Sequence, residues 1–101
     1  MAIELKPFDT AAYLIGDDDA QIDLLTDALE SGDRAYIGHA FGVVARARGG
    51  IAQLAADTGM PRMTLHKALS TEGNPTLETL LKVLNAFGFS AQVIKRQVQA
   101  A

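Results

Sequence analysis

Apolar positions return every three to four residues along most of this chain, the spacing that turns one face of an α-helix toward a core. Ile22, Leu25, Ala28 and Leu29 share one face of a segment over 19–31, with Asp23, Asp27 and Glu30 opposite. Ile37, Ala40, Phe41, Val44 and Ala45 form the next stripe, over about 33–48, and Leu77, Leu80, Leu81, Leu84 and Phe87 form a third that ends at Gly88. Boundary chemistry agrees with the stripes. Asp17-Asp18-Asp19 suits the positive end of a helix dipole, Ser31-Gly32 stops the first helix, Asp33 caps the second and Gly49-Gly50 ends it. One or two further turns are expected over 8–14, capped by Asp9 or Thr10, with Phe8 and Tyr13 as anchors onto the body.

Between the second and third stripes lies Leu54 to Leu69, which reads as two short helices bent around a glycine, a helix-turn-helix. Such a motif needs a small residue where the helices touch, a residue tolerant of positive φ four positions later, and apolar residues that pack the second helix on the first. Ala55, Gly59, Leu65 and Leu69 stand in those places. The Leu65/Leu69 pair faces inward at i, i+4, so Arg62, Met63, His66 and Lys67 face outward. Two of these are cations able to meet phosphate or the edge of guanine. Thr64 lies beside them, and Gln53, near the start of the first helix, is within reach of phosphate or base. Pro61 carries no capping oxygen. A helix that starts at Arg62 therefore forgoes about 1 kcal/mol of capping.

The tail from Phe89 is less periodic. Phe89, Ala91 and Val93 alternate with Ser90 and Gln92, a strand pattern that needs a ladder partner in the N-terminal segment, a second subunit or another protein. A continued helix is the rival reading.

Composition narrows the chemistry. At 101 residues, 49 % hydrophobic but only 6 % aromatic, the chain suits one domain with an aliphatic core on helices. The expected divisions are an acidic helical segment 1–33, a helix-turn-helix core 34–88 and a strand or tail 89–101. The absence of cysteine excludes disulfides and thiolate metal sites. No apolar run reaches membrane-spanning length, and the start is not a signal peptide, so a cytoplasmic protein without membrane contact is expected. The triple aspartate lacks the alternating ligands of a calcium loop and reads as a cap. His39, beside a core stripe, reads as a half-buried packing residue. No nucleophile–base pair, metal set or cofactor motif is present, and an enzyme is not expected.

The net charge of −3 hides two opposite halves. Residues 1–33 hold nine acidic residues and one basic, whereas 34–101 hold eight basic and three acidic. Arg46 and Arg48, at the end of the second long helix, are expected to point into the basic half. Cations there would displace counterions from a phosphate backbone. Asp17, Asp18, Asp19, Asp23, Asp27 and Glu30 would repel DNA and steer a basic protein, with Ile22, Leu25 and Leu29 divided between the core and that contact. One short recognition helix covers few base pairs, so a homodimer on an inverted repeat of double-stranded DNA is expected, with the tail strand in the dimer contact.

The chain resembles HigA-type antitoxins, the addiction-module antidote proteins. The resemblance is carried by Phe8-Asp9-Thr10-Ala11-Ala12-Tyr13-Leu14, Ala28-Leu29-Glu30-Ser31-Gly32-Asp33 and Ala45-Arg46-Ala47-Arg48-Gly49. It continues through Thr58-Gly59-Met60-Pro61-Arg62, Leu65-His66-Lys67-Ala68-Leu69-Ser70 and Leu80 to Gly88. It implies an all-α, lambda-repressor-like helix-turn-helix domain of five to six helices that binds its own promoter. It also implies a small basic toxin partner of the RelE/ParE superfamily, a ribonuclease in many pairs. Pro61, Met63 and His66 stand where similar proteins usually have serine, glutamate and tyrosine, and Gly50-Ile51-Ala52 replaces a hydroxyl-bearing helix start. These departures alter the outward residues and leave Ala55, Gly59, Leu65 and Leu69 in place. The competing readings are a helix-turn-helix regulator without a toxin and an interaction module that no longer binds DNA.

Overall fold

Asp9, Asp17 and Asp33 each stand one residue ahead of a helix and turn a carboxylate onto its free amides. Their Oδ1 atoms accept from Ala11 N at 3.1 Å, Ala20 N at 3.0 Å and Ala35 N at 2.9 Å. A computed structural model describes residues 9–97, and among them it is all-helical. The helices are α1 Thr10–Leu14, α2 Asp18–Ser31, α3 Arg34–Ala47, α4 Gly50–Thr58, α5 Arg62–Ala68 and α6 Leu77–Phe87. Thr76 caps α6 through Oγ1, which accepts from Thr79 N at 3.1 Å. By contrast α4 and α5 begin at Gly49 and Pro61 with no side-chain cap, so packing must hold them.

The packing runs through α3, which lies against α1, α2 and α4, while α4 carries α5 and α6. Phe41, Val43 and Val44 of α3 are fully buried with Leu25 and Ala28 of α2, Leu54 of α4, Leu65 of α5 and Val83 and Phe87 of α6. Each large side chain so buried contributes roughly 1.5–3 kcal/mol. Gly59 ends α4 at φ +73°, and its N–H donates to the Ala55 carbonyl at 2.9 Å. The chain can therefore reverse into α5 without the penalty of a Cβ. Two glycines of α3 set the height of α5. A Cβ on Gly38 would overlap the carbonyl oxygen of Ser70, and one on Gly42 that of Leu69.

Several expectations change at this level. Leu25 and Ala28 are buried, but Ile22 and Leu29 are exposed, so the apolar face of α2 is wider than the core it covers. On α6 the buried side is Val83, Leu84 and Phe87; Leu77, at 71 % exposure, and Leu81 face outward. The tail is neither strand nor helix over 89–97. A strand needs a ladder, and no other strand is present among the described residues to supply one. His39 is exposed rather than half-buried, because the α3 stripe turns Ala40 and Phe41 inward instead. Tyr13 is likewise largely exposed. Phe8, the other expected anchor, lies outside the described residues.

Candidate nucleic-acid interface

Leu65 and Leu69 are buried beneath α5, and this fixes the outward side of the helix. Arg62, Met63, Thr64, His66 and Lys67 are all exposed, Met63 to 83 %. Arg62, Met63, His66 and Lys67 stand at i, i+1, i+4 and i+5, so they share one face. Gln53 is also exposed, on α4, but its Nε2 donates to Asp57 Oδ1 at 2.9 Å. The structure thus gathers five of the six expected DNA-contacting side chains on one short helix. The sixth is held by a carboxylate of its own helix.

Four other cations of this half, Arg34, Arg46, Arg48 and Lys82, are engaged within the fold, while Lys95 and Arg96 of the tail are exposed. Arg34 donates to the carbonyl oxygens of Glu72 and Gly73 and so ties the start of α3 to the turn after α5. Lys82 pairs with Glu78 at 3.2 Å, and Arg46 meets Asp9 at 3.9 Å. Arg62 and Lys67 enter no ion pair among the described residues. Exposed, unpaired cations on a helix whose opposite face is locked into the core are well placed to exchange counterions for phosphates.

Arg48 corrects the expectation that it points into the basic half. Its Nη1 donates to Asp18 Oδ1 and Gln21 Oε1, both at 3.0 Å, and its guanidinium lies 5.6 Å and 5.2 Å from the ring centroids of Phe87 and Phe89. Gln21, only 1 % exposed, passes the chain of bonds on by donating to the Leu14 carbonyl at 2.7 Å. One arginine therefore joins α1, α2, α3, α6 and the tail, because burial on the flank of Phe87 rewards a cation that stacks on aromatics. Sequence reasoning overlooked Gln21. The available signal was its place at i−4 from Leu25 and i−7 from Ala28, a polar residue inside a buried stripe.

The acidic residues divide in the same way. Asp17 caps α2, Asp18 pairs with Arg48, and Asp27 Oδ2 accepts from the hydroxyl of Tyr36. That bond, helped by burial and by the Asp27 charge, raises the Tyr36 phenol above the ordinary tyrosine value. Asp19, Asp23 and Glu30 are exposed and enter no ion pair among the described residues. Beside them Ile22, Leu25 and Leu29 of α2 and Val93 and Ile94 of the tail line a groove of about 660 Å³. The acidic helix therefore has an apolar strip with a carboxylate at its rim, Glu30.

Known proteins decide between a bare fold and a role. A family model described as probable addiction module antidote protein matches residues 4–95. The chain belongs to that family. A protein of Haemophilus influenzae that carries only the description uncharacterized protein is 40 % identical over 93 residues, covering 92 % of this chain and 94 % of the relative. No solved structure matches the chain. An addiction-module antidote counters a toxin, so membership in the antidote family implies a toxin partner. Among the described residues of this family member, no helix is long and apolar enough to cross a membrane.

Proposed function

We propose that this antidote protein is a DNA-binding antitoxin that acts in the cytoplasm, neutralises a basic toxin of the RelE/ParE superfamily and represses its own operon. The observation that carries the DNA half is the outward face of α5, where Arg62 and Lys67 stay unpaired while Arg34, Arg48 and Lys82 are used inside the fold. Arg62 lies at the end of the recognition helix that enters the major groove in helix-turn-helix proteins and reads base edges there. Lys67 meets the backbone, and Met63, Thr64 and His66 add shape and polar contacts. Gln53 contributes after giving up its bond to Asp57.

The toxin half rests on family membership together with the acidic flank of α2. Asp19, Asp23 and Glu30 steer a cationic partner, and Ile22 and Leu29 provide apolar area for the contact once it forms. Asp17, Asp18 and Asp27 add to the field while holding their caps and bonds within the fold. A homodimer sets two α5 helices on an inverted repeat with half-sites about 34 Å apart.

The decisive experiment has two arms. An adjacent reading frame should encode a basic protein whose expression arrests growth, and co-expression of this chain should relieve the arrest. In the second arm the purified chain should shift DNA from upstream of its own reading frame in preference to unrelated duplex. Growth arrest that persists under co-expression rejects the toxin half, and equal affinity for both duplexes rejects autorepression.

A further inference from the structure

A second groove lies beside the recognition helix, where α3, the start of α4 and the turn after α5 meet. Its volume is about 290 Å³, and its lining includes His39 and Arg46 of α3, His66 of α5, and Ser70 and Thr71 of the following turn. Gly42 forms part of its wall, and the lack of a side chain there lets α3 sit against the Leu69 carbonyl. Every ionisable group that lines the groove is cationic or able to become so. The α4 residue in the lining, Ile51, carries no charge, and no carboxylate lines it; Asp9 reaches Arg46 from outside at 3.9 Å. His39 and Arg46 are two turns apart on one side of α3, and His66 faces them from the proposed DNA-reading helix.

We propose that this groove seats a backbone phosphate of bound duplex DNA, with Arg46 as the fixed charge and His39 and His66 as hydrogen-bond donors. The proposal rests on the DNA-binding reading above and extends it to α3, outside the helix-turn-helix. A phosphate contact reads no base, so it sets register and general affinity for any sequence. Thr71 adds a neutral hydroxyl on the far wall, while the Ser70 hydroxyl beside it donates to the Lys67 carbonyl at 2.9 Å. Imidazole changes charge between about pH 5 and 8. A phosphate favours its protonated form, so binding takes up protons and affinity rises as pH falls.

The test uses the full chain and a fluorescent duplex of arbitrary sequence, with anisotropy titrations across a salt series at two pH values. Wild type should bind, with log affinity falling linearly against log salt. Arg46→Gln should reduce that slope by about one, the share of one phosphate. Arg46→Lys should restore it. Asp9→Asn removes the ion pair and retains a capping oxygen for α1, so it should leave the slope unchanged; a loss equal to that of Arg46→Gln would assign Arg46 to holding α1 and overturn the proposal. Wild-type affinity should rise about threefold or more from pH 8 to pH 6, and the double variant H39Q/H66Q should flatten that rise. His39→Gln alone, at an exposed position, should give part of the flattening without loss of helical circular dichroism. Wild-type slope and pH response in Arg46→Gln and His39→Gln would overturn the phosphate site and leave DNA binding standing. A wild type that binds no duplex even at low salt would overturn the DNA reading itself, and the phosphate site with it.

Discussion

The acidic helix α2 and the short helix α5 are stabilised in opposite ways. Helix α2 is 14 residues long, is capped by Asp17 and carries Asp18 and Asp19 in its first turn, so much of its stability is local. Helix α5 has seven residues, no side-chain cap, and His66 and Lys67 in its last turn. It owes its place to Leu65 and Leu69 in the core and to the glycine-lined surface of α3 beneath its end. An isolated helix of that length is far too short to persist in water. The difference teaches that α5 can carry almost any outward residue, because none of its fixing contacts lie on that side. Departures at Pro61, Met63 and His66 therefore alter the outward surface without loosening what is held.

The largest expected effect breaks the seat of α5. Gly42→Val would drive carbon atoms into the Leu69 carbonyl, and overpacking of this kind costs about 3 kcal/mol or more. Tm should fall by more than about 10 °C. Thr26→Val, a similar change on the exposed side of α2, should stay within about 0.5 kcal/mol. Equal Tm values for the two variants would contradict the contrast drawn between the helices.

Gln21→Leu tests the buried bridge on the other side. It leaves the Leu14 carbonyl with only the Asp17 N–H as donor and Arg48 without one acceptor, for a loss of about 1–3 kcal/mol in urea unfolding. A variant as stable as wild type would show that the bridge is ornamental and that Leu packs there equally well.

How far each region could be read from the sequence follows from these same residues. Helix ends were legible because Asp9, Asp17, Asp33, Gly49 and Gly59 act within one turn of themselves. The inward face of α5 was legible from Leu65 and Leu69 alone. Helix α6 was harder, since leucines lie on both of its sides and only packing on α4 selects Val83, Leu84 and Phe87. Arg48 was misplaced because its partners, Asp18, Gln21, Phe87 and Phe89, are 27 or more residues away in sequence. The tail alternated like a strand, yet alternation supplies no ladder. Among the candidate contacts, the five outward residues of α5 came from periodicity; Gln53 and Asp57, at i, i+4 on α4, were a pair that spacing alone offered, whereas the exposure of His39 depends on which side of α3 is packed.

Surface substitutions sharpen the comparison by separating function from stability. Arg62→Ala should cost about 1–3 kcal/mol of operator affinity and relax preference at one base pair, with unfolding changed by no more than about 0.5 kcal/mol. Lys67→Ala should weaken all sequences alike and lower the salt slope by about one. Operator titrations that show no change for either variant would remove α5 from the interface. On α2, the double reversal D23K/E30K should slow toxin association at low salt, by an amount that shrinks as salt rises, while operator binding is spared or tightened. Asp27 is left intact because it holds Tyr36. Association rates identical to wild type at low salt would mean that the acidic flank only keeps the protein soluble.

The smallest effect concerns a bond that links side chains of α2 and α3 at the surface. The Tyr36 hydroxyl donates to Asp27, and this raises the phenol above its ordinary value of 10.0. A raised acid is one whose protonated form the fold prefers. Its contribution is therefore complete below the ordinary value and is lost as pH climbs through the higher folded value, where a phenolate would face a carboxylate. Tyr36→Phe removes the donor and with it the dependence. The Tm of wild type should exceed that of Tyr36→Phe by a small, constant margin up to about pH 9 and lose the margin above about pH 10. A margin that persists unchanged into the alkaline range, or that grows with pH, would show that ring packing rather than the hydroxyl joins the acidic helix to the body. The phenolate absorbance of wild type minus that of Tyr36→Phe reports the same group directly, since the chain has only one other tyrosine. That difference should titrate above the ordinary tyrosine range, and Asp27→Asn, which removes the charge, should bring it down.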